Sequence, residues 1–66
     1  MRLTINGELF DATNAETILD LLKELKIEPA RVAVEVNLRI VKKVDYPTFK
    51  LNDGDKIEIV NFVGGG

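Results

Sequence analysis

A single amphipathic helix is the feature that most limits how this chain can fold. Four apolar residues recur at the i, i+3, i+4 and i+7 spacing that places them on one side of a helix: Ile18, Leu21, Leu22 and Leu25. We predict a helix over residues 17–25, and Pro29 prevents its continuation because proline has no backbone N–H donor. The rest of the chain is patterned as short strands. Because one helix covers only one face of a sheet, the other face meets water or a partner.

Two patterns compete for the start of this helix. Thr13 and Glu16 have the spacing of a capping box, in which each side chain accepts a hydrogen bond from a free backbone N–H of the other residue. Asn14 is an alternative N-cap, because its side-chain oxygen can accept a bond from the first helical turn. The sequence leaves both of these caps open.

A β-hairpin is predicted at the start of the chain. Residues 1–5 alternate between apolar and polar, as a half-buried strand does. The dipeptide Asn6-Gly7 follows, and it is typical of a type I′ turn, in which both central residues have positive φ. In the returning strand, residues 8–12, we expect Phe10 and Ala12 to face the core.

The second half of the chain predicts three more strands. The first is a strand in which Val32, Val34 and Val36 alternate with other residues, and a turn at Asn37-Leu38 leads from it into a short strand at residues 39–41. A loop at residues 46–49 then places an aromatic ring under the sheet. A tight turn at residues 52–55 precedes the last strand, at residues 57–63. The acidic residues of the tight turn lack the twelve-residue ligand spacing of a calcium loop. The predicted core includes Leu3, Ile5, Ile18, Leu22, Val34, Ile57 and Ile59.

The composition argues against an autonomous enzyme. The 66-residue chain has no histidine and no cysteine, which removes the commonest general base, the thiol nucleophile and the usual zinc ligands. A net charge of −2, with both signs mixed along the chain, gives no basic stripe for nucleic acid. No apolar run is long enough to span a bilayer, and the start of the chain lacks a signal-peptide pattern. We therefore expect a cytoplasmic protein without a metal, nucleic-acid or membrane partner.

The end of the sequence combines a strand pattern with three glycines. We expect one packed domain over residues 1–63 and a flexible tail at residues 64–66, because glycine has no side chain to bury and loses much backbone entropy when ordered. The carboxylate that ends this tail is the group that we expect to react.

The last strand also predicts a docking surface. If Ile57 and Ile59 point into the core, alternation turns Val60 and Phe62 to the uncovered face of the sheet. Exposed apolar residues that cluster tend to mark interaction surfaces. The alternative is that Phe62 folds back over the edge of the core.

The whole chain resembles the ThiS family of sulfur carriers in thiamine biosynthesis. The matching motifs are Asn6-Gly7-Glu8 after the first strand, Thr17-Ile18-x-x-Leu21-Leu22 on the helix, Asp53-Gly54-Asp55-x-Ile57-Glu58-Ile59-Val60, and the ending Phe62-Val63-Gly64-Gly65-Gly66. The resemblance implies an α+β, ubiquitin-like β-grasp fold, in which one helix packs on one face of a mixed sheet of four to five strands. Two turns depart from the family pattern: Asn37-Leu38 replaces a frequent Asn-Gly, and Thr13 replaces a proline before the helix.

The resemblance also implies a mechanism and partners. In this family a ThiF-like adenylating enzyme consumes ATP to activate the C-terminal carboxylate, a sulfur donor converts it to a thiocarboxylate, and thiazole synthase (ThiG) receives the sulfur. Carried over to this chain, Gly66 holds the sulfur, Gly64 and Gly65 form the tail, and the chain itself binds no cofactor. Three alternatives remain: the small subunit of molybdopterin synthase (MoaD), a ubiquitin-like conjugating modifier, and a binding module whose glycines are a spacer.

Overall fold

A computed structural model describes residues 1–62, and the predictions made for residues 63–66 lie outside the described residues. The strands are β1 (Arg2–Ile5), β2 (Glu8–Asp11), β3 (Val32–Val36), β4 (Arg39–Val41) and β5 (Lys56–Asn61). The helix, α1, spans Ile18–Glu24, and short 3₁₀ turns occupy Pro29–Arg31 and Lys43–Asp45. The predicted order of elements is confirmed.

The five strands form one mixed sheet in the order β2-β1-β5-β3-β4. The strand β5 lies at the centre, parallel to β1 on one side and antiparallel to β3 on the other. The two outer pairs, β1 with β2 and β3 with β4, are antiparallel hairpins. The last strand of the described chain is therefore held by a neighbour on each side.

The core lies between α1 and one face of the sheet. Its fully buried members include Leu3, Ile18, Leu21, Leu22, Val32, Val34 and Ile57. Ile5, Phe10, Leu25 and Ile59 are partly buried and pack against this cluster. The predicted core is confirmed, with Ile5 and Ile59 at its margin.

The start of α1 differs from the prediction. Thr17, not Thr13, is the N-cap: its hydroxyl accepts a bond from the Asp20 N–H at 3.2 Å, and the Asp20 carboxylate accepts one from the Thr17 N–H at 3.1 Å. Thr13 instead donates its backbone N–H and its hydroxyl to Glu24, both at 3.1 Å. The true box is Thr-x-x-Asp, and aspartate at its last position reaches back as glutamate would.

The end of α1 follows a Schellman motif that Pro29 alone did not predict. The N–H of Ile27 donates to the carbonyl of Leu22 at 2.8 Å, and that of Lys26 donates to Lys23 at 3.0 Å. Lys26 takes the left-handed conformation, with φ of 60°, where glycine is usual. The helix therefore ends before the proline and satisfies its last carbonyls locally.

Both hairpin turns have positive φ angles, which the sequence predicted for Asn6-Gly7 but not for Asn37-Leu38. Asn6 and Gly7 have φ of 49° and 85°, and Asn37 and Leu38 have φ of 51° and 71°. Left-handed backbone is ordinary for glycine and asparagine, but it is an outlier for a bulky residue. The turn at Leu38 is thus formed against the local preference of that residue.

The predicted aromatic loop buries Tyr46 more deeply than Phe49. The Tyr46 side chain is almost wholly buried, and its hydroxyl donates to the carbonyl of Val32 at 3.2 Å. Burial raises the pKa of this phenol above its ordinary value. The Tyr46 ring therefore belongs to the core cluster, and its hydroxyl bonds to the first residue of β3.

Candidate docking face and C-terminal tail

The face of the sheet opposite α1 carries a row of side chains from the adjacent strands β5, β3 and β4. In the β3–β5 ladder, Val60 lies directly opposite Ala33, and Glu58 lies directly opposite Glu35. In the β3–β4 ladder, Ile40 lies opposite Glu35. Residues directly opposite each other in an antiparallel pair point to the same face. We call these five residues the open face.

The apolar members of the open face lie in solvent. Val60 is 57% exposed and Ile40 is 77% exposed, with the smaller Ala33 half-buried between their strands. Both large side chains are β-branched, and they lie on strands that flank β3. The exposure predicted for Val60 agrees with the structure.

Phe62 lies just beyond the end of β5 and outside the core cluster. Its N–H donates to the carbonyl of Arg31 at 2.8 Å, so the main chain continues beside β3 for one residue more. The side chain is 48% exposed, and the Nζ atom of Lys43 lies 4.6 Å from the ring centroid. The ring therefore rests on the 3₁₀ turn at the end of the sheet and keeps about half of its surface in solvent.

The strand that leads to the tail is fixed by a side chain from the first hairpin. The Asn6 oxygen accepts a bond from the Ile59 N–H at 2.8 Å, and its amide donates to the Ile59 carbonyl at 3.2 Å. Asn6 thus extends the short β1–β5 ladder by one more pair of bonds. The Asn-Gly pattern predicts the turn, but no sequence signal identifies a partner 53 residues away.

A second polar cluster holds the start of β5. The carboxylate of Asp55, which is nearly buried, accepts bonds from the Asn37 amide at 2.9 Å and from the Asn52 N–H at 2.8 Å. The Asn37 oxygen in turn accepts the Lys56 N–H at 2.9 Å. The Asp55 carboxylate therefore stabilises a turn, which agrees with the tight turn predicted at residues 52–55. Asn6 therefore holds the middle of β5, and the Asp55 cluster holds its start.

An ion pair lies on the outer hairpin of the sheet. Arg2 and Asp11 are directly opposite in the β1–β2 ladder, and the Arg2 Nε atom lies 3.0 Å from an Asp11 carboxylate oxygen. The hydrogen bond from this guanidinium is the main cause that lowers the pKa of Asp11. Both side chains are largely exposed, so the pair adds little stability.

The structure brings Val60 and Phe62 to the end of the sheet that precedes the glycines in sequence. Gly64, Gly65 and Gly66 lie outside the described residues. Across residues 1–62, no three acidic, histidine or cysteine side chains are grouped so that they could hold a metal ion. No helix in the same part of the chain is long and apolar enough to cross a membrane.

Comparison with known proteins identifies the family. The model of the ThiS family matches residues 3–66. A crystal structure of a thiamine biosynthesis protein (ThiS) from Geobacter metallireducens superposes with a TM-score of 0.84 at 33% sequence identity, and the match covers 100% of both chains. This likeness confirms the ubiquitin-like fold expected from the sequence.

Two curated relatives differ greatly in length. The sulfur carrier protein ThiS of Bacillus subtilis is 50% identical over 50 residues, which is 76% of each chain. A thiazole synthase of Paramagnetospirillum magneticum is 50% identical over 66 residues, which is 100% of this chain and 20% of that protein. The chain therefore spans about a fifth of the length of the first curated relatives that it matches. On the family match and the structural likeness, the chain belongs to the ThiS family.

Proposed function

We propose that this protein is a sulfur carrier for the synthesis of the thiamine thiazole. Its ThiS-family sequence, which extends through the terminal glycines, is the observation that carries the proposal. In this role the chain is a co-substrate that other enzymes modify, and it is not itself the catalyst. The cargo is a sulfur atom on the carboxyl carbon of Gly66.

The chemistry requires activation from outside the chain. A terminal carboxylate has a pKa near 3.3–3.7 and is ionised at neutral pH, which makes it a poor electrophile. An adenylating enzyme of the ThiF type joins it to AMP from ATP and releases pyrophosphate. A sulfide-level sulfur from a donor then attacks the acyl carbon and displaces AMP, which leaves a thiocarboxylate and releases a proton. Because ATP is consumed in this step, the proposal also places the protein in the cytoplasm.

Glycine suits this chemistry for steric reasons. Gly64, Gly65 and Gly66 have no Cβ, so nothing shields the reacting carbonyl and the chain can enter a narrow channel in extended form. Four residues beyond Phe62 reach at most about 13–14 Å when fully extended. The partner's active site must therefore come close to the end of β5, where Val60 and Phe62 offer apolar contact.

Two partners follow from this role. The adenylating enzyme is needed for the chemistry, and a thiazole synthase receives the sulfur. Relatives named thiazole synthase contain a segment that matches the whole of this chain, at 50% and 39% identity, within a longer polypeptide. That arrangement supports a thiazole synthase as a physical partner of this domain.

Intact mass after reaction tests the proposal. The chain would be incubated with ATP, its adenylating enzyme and a sulfur donor, and exchange of one tail oxygen for sulfur adds about 16 Da. A variant with one residue added after Gly66 is the matched control, because its Gly66 carbonyl is an amide. We expect the mass increase in the natural chain and none in the extended one. An equal increase in both would overturn the proposal, and an amide bond to lysine of another protein would indicate a conjugating modifier.

A further inference from the structure

Two glutamates of the open face oppose each other at the centre of the sheet. Glu35 on β3 and Glu58 on β5 are direct partners in the antiparallel register. Side chains at such positions have Cβ atoms about 4.5–5.5 Å apart, and like charges placed there destabilise the sheet. This repulsion lies on the two strands that form the longest ladder of the fold.

The structure offers these carboxylates no ion pair. The partner of Glu35 on its other side is Ile40, and Glu58 has Val60 and Lys56 as its neighbours along β5 on the same face. Within residues 1–62 the only ion pair with an N–O distance of 4.0 Å or less is the one between Arg2 and Asp11. Within residues 1–62 neither glutamate therefore forms an ion pair, and the cation beside them on the same face is Lys56, two residues before Glu58 on β5.

The pair of Arg2 and Asp11 is another cross-strand pair on the same face of the sheet, and it can be compared with the two glutamates. Those two residues are also direct cross-strand partners, and they have opposite charges. A cation in place of Glu35 or Glu58 would give the centre of the sheet the same arrangement. The chain instead places two acids there, flanked by the exposed apolar side chains of Val60 and Ile40.

We propose that Glu35 and Glu58 form the acidic centre of a docking surface for thiazole synthase, which supplies an arginine or lysine side chain from an apolar surface. The cation would lie between the two carboxylates, while Val60 and Ile40 contact the apolar surround. Arginine suits this position well, because its planar guanidinium has five N–H donors and can serve two carboxylates at once. The inference rests on the proposed function, since the relatives named thiazole synthase supply the choice of partner.

Stability and binding respond in opposite directions in this scheme. Glu35→Gln and Glu58→Gln each remove the repulsion, so we expect the melting temperature of the free chain to rise by about 1–8 °C, measured by circular dichroism. The same changes remove one ligand of the partner's cation. We therefore expect the Kd for thiazole synthase to rise at least about tenfold, measured by calorimetry with the purified enzyme of the same organism.

Charge reversal and a matched control sharpen the test. Glu35→Lys creates an opposite-charge pair with Glu58, so it should stabilise the free chain and weaken docking more than Glu35→Gln. Glu28→Gln makes the same charge change outside the sheet, at an exposed position, and should leave both measurements unchanged. The wild-type Kd should also rise with added salt, and the Glu35→Gln variant should show a smaller rise.

The outcomes separate this inference from the proposed function. If the natural chain binds thiazole synthase and the glutamine variants bind equally well, the acidic centre is wrong and the sulfur-carrier role stands. If the variants bind thiazole synthase normally but lose binding to the adenylating enzyme, the choice of partner is overturned. If the natural chain does not bind thiazole synthase at all, both the inference and that part of the proposed function fail.

Discussion

The Nζ atom of Lys43 lies 4.6 Å from the centroid of the Phe62 ring. This contact joins the 3₁₀ turn after β4 to the residue that follows β5. A cation over an aromatic face at an exposed site contributes only about 0.5–1 kcal/mol. The contact is therefore strong enough to orient the ring and weak enough for a partner to displace it.

We expect Phe62→Ala to affect docking and not folding. The ring is about half exposed and lies outside the core, so the free energy of unfolding should fall by less than about 1 kcal/mol. Binding to the adenylating enzyme should weaken at least about tenfold, as measured by calorimetry. Leu9→Ala, at an exposed position on the outer strand β2, is the control and should change neither. A loss of several kcal/mol in Phe62→Ala would assign the ring to the core instead.

Substitution of Leu22, unlike that of Phe62, should lower the stability of the fold. It is fully buried between α1 and the sheet, and its removal leaves a cavity. We expect Leu22→Ala to lower the free energy of unfolding by about 2–5 kcal/mol, measured by urea denaturation. Loss on that scale can unfold a domain of this size. A change below about 1 kcal/mol, equal to that of Leu9→Ala, would contradict the packing described for α1.

Short-range patterns predicted the helix, the strands and the turns, because each of these elements depends on residues that are close together in sequence. The apolar stripe of α1 and the positive φ angles at Asn6-Gly7 both depend on residues within one or two turns of each other. One error was local, because the Thr17-x-x-Asp20 spacing that forms the capping box was also present in the sequence. The other involved residues further apart. Thr13 and Glu16 have the spacing of a capping box, but the Thr13 N–H and hydroxyl both donate to the carboxylate of Glu24, at the other end of the helix.

In the candidate site too, some features follow from local patterning and others depend on pairing between distant strands. Alternation along β5 predicted the exposure of Val60, since the period of a strand is fixed by its pleat. The opposition of Glu35 and Glu58 depends on the register between two strands that are far apart in sequence, and sequence patterning alone does not set it. The bonds from Asn6 to Ile59 have the same origin.

The capping box at the start of α1 should make stability depend on pH. Bonds from the backbone N–H groups of Glu16 and Thr17 lower the pKa of Asp20 below its ordinary value. A carboxylate with a lowered folded-state pKa stabilises the protein above its unfolded pKa of about 3.9, and this contribution is lost as the pH falls through the folded value. We therefore expect Asp20→Asn to lower the melting temperature at pH 7, with the difference from the natural chain shrinking towards pH 2.

Calorimetric melting at several pH values between 2 and 7 measures this difference. Glu16→Gln is the matched control, because Glu16 lies beside the cap and its carboxylate takes no part in the box. It should follow the natural chain across the whole range. A gap between Asp20→Asn and the natural chain that stays constant down to pH 2 would show that the carboxylate charge is not the cause.

The turn between β3 and β4 offers a stabilising substitution. Leu38 has φ of 71° and is 90% exposed, so its backbone is in a conformation that disfavours a side chain, while the side chain buries almost nothing. Left-handed backbone costs a residue with a Cβ about 1–2 kcal/mol, and glycine at position 38 would remove this cost. Part of the gain in stability is offset, because glycine has more conformational freedom in the unfolded chain. We expect Leu38→Gly to raise the melting temperature by about 4–8 °C, which corresponds to about 1 kcal/mol in a domain of this length. Leu38→Ala removes the exposed side chain but keeps the Cβ, so it should leave the melting temperature close to that of the natural chain. If alanine stabilises the protein as much as glycine does, the gain comes from loss of the exposed leucine, and the backbone strain assigned to this turn is wrong.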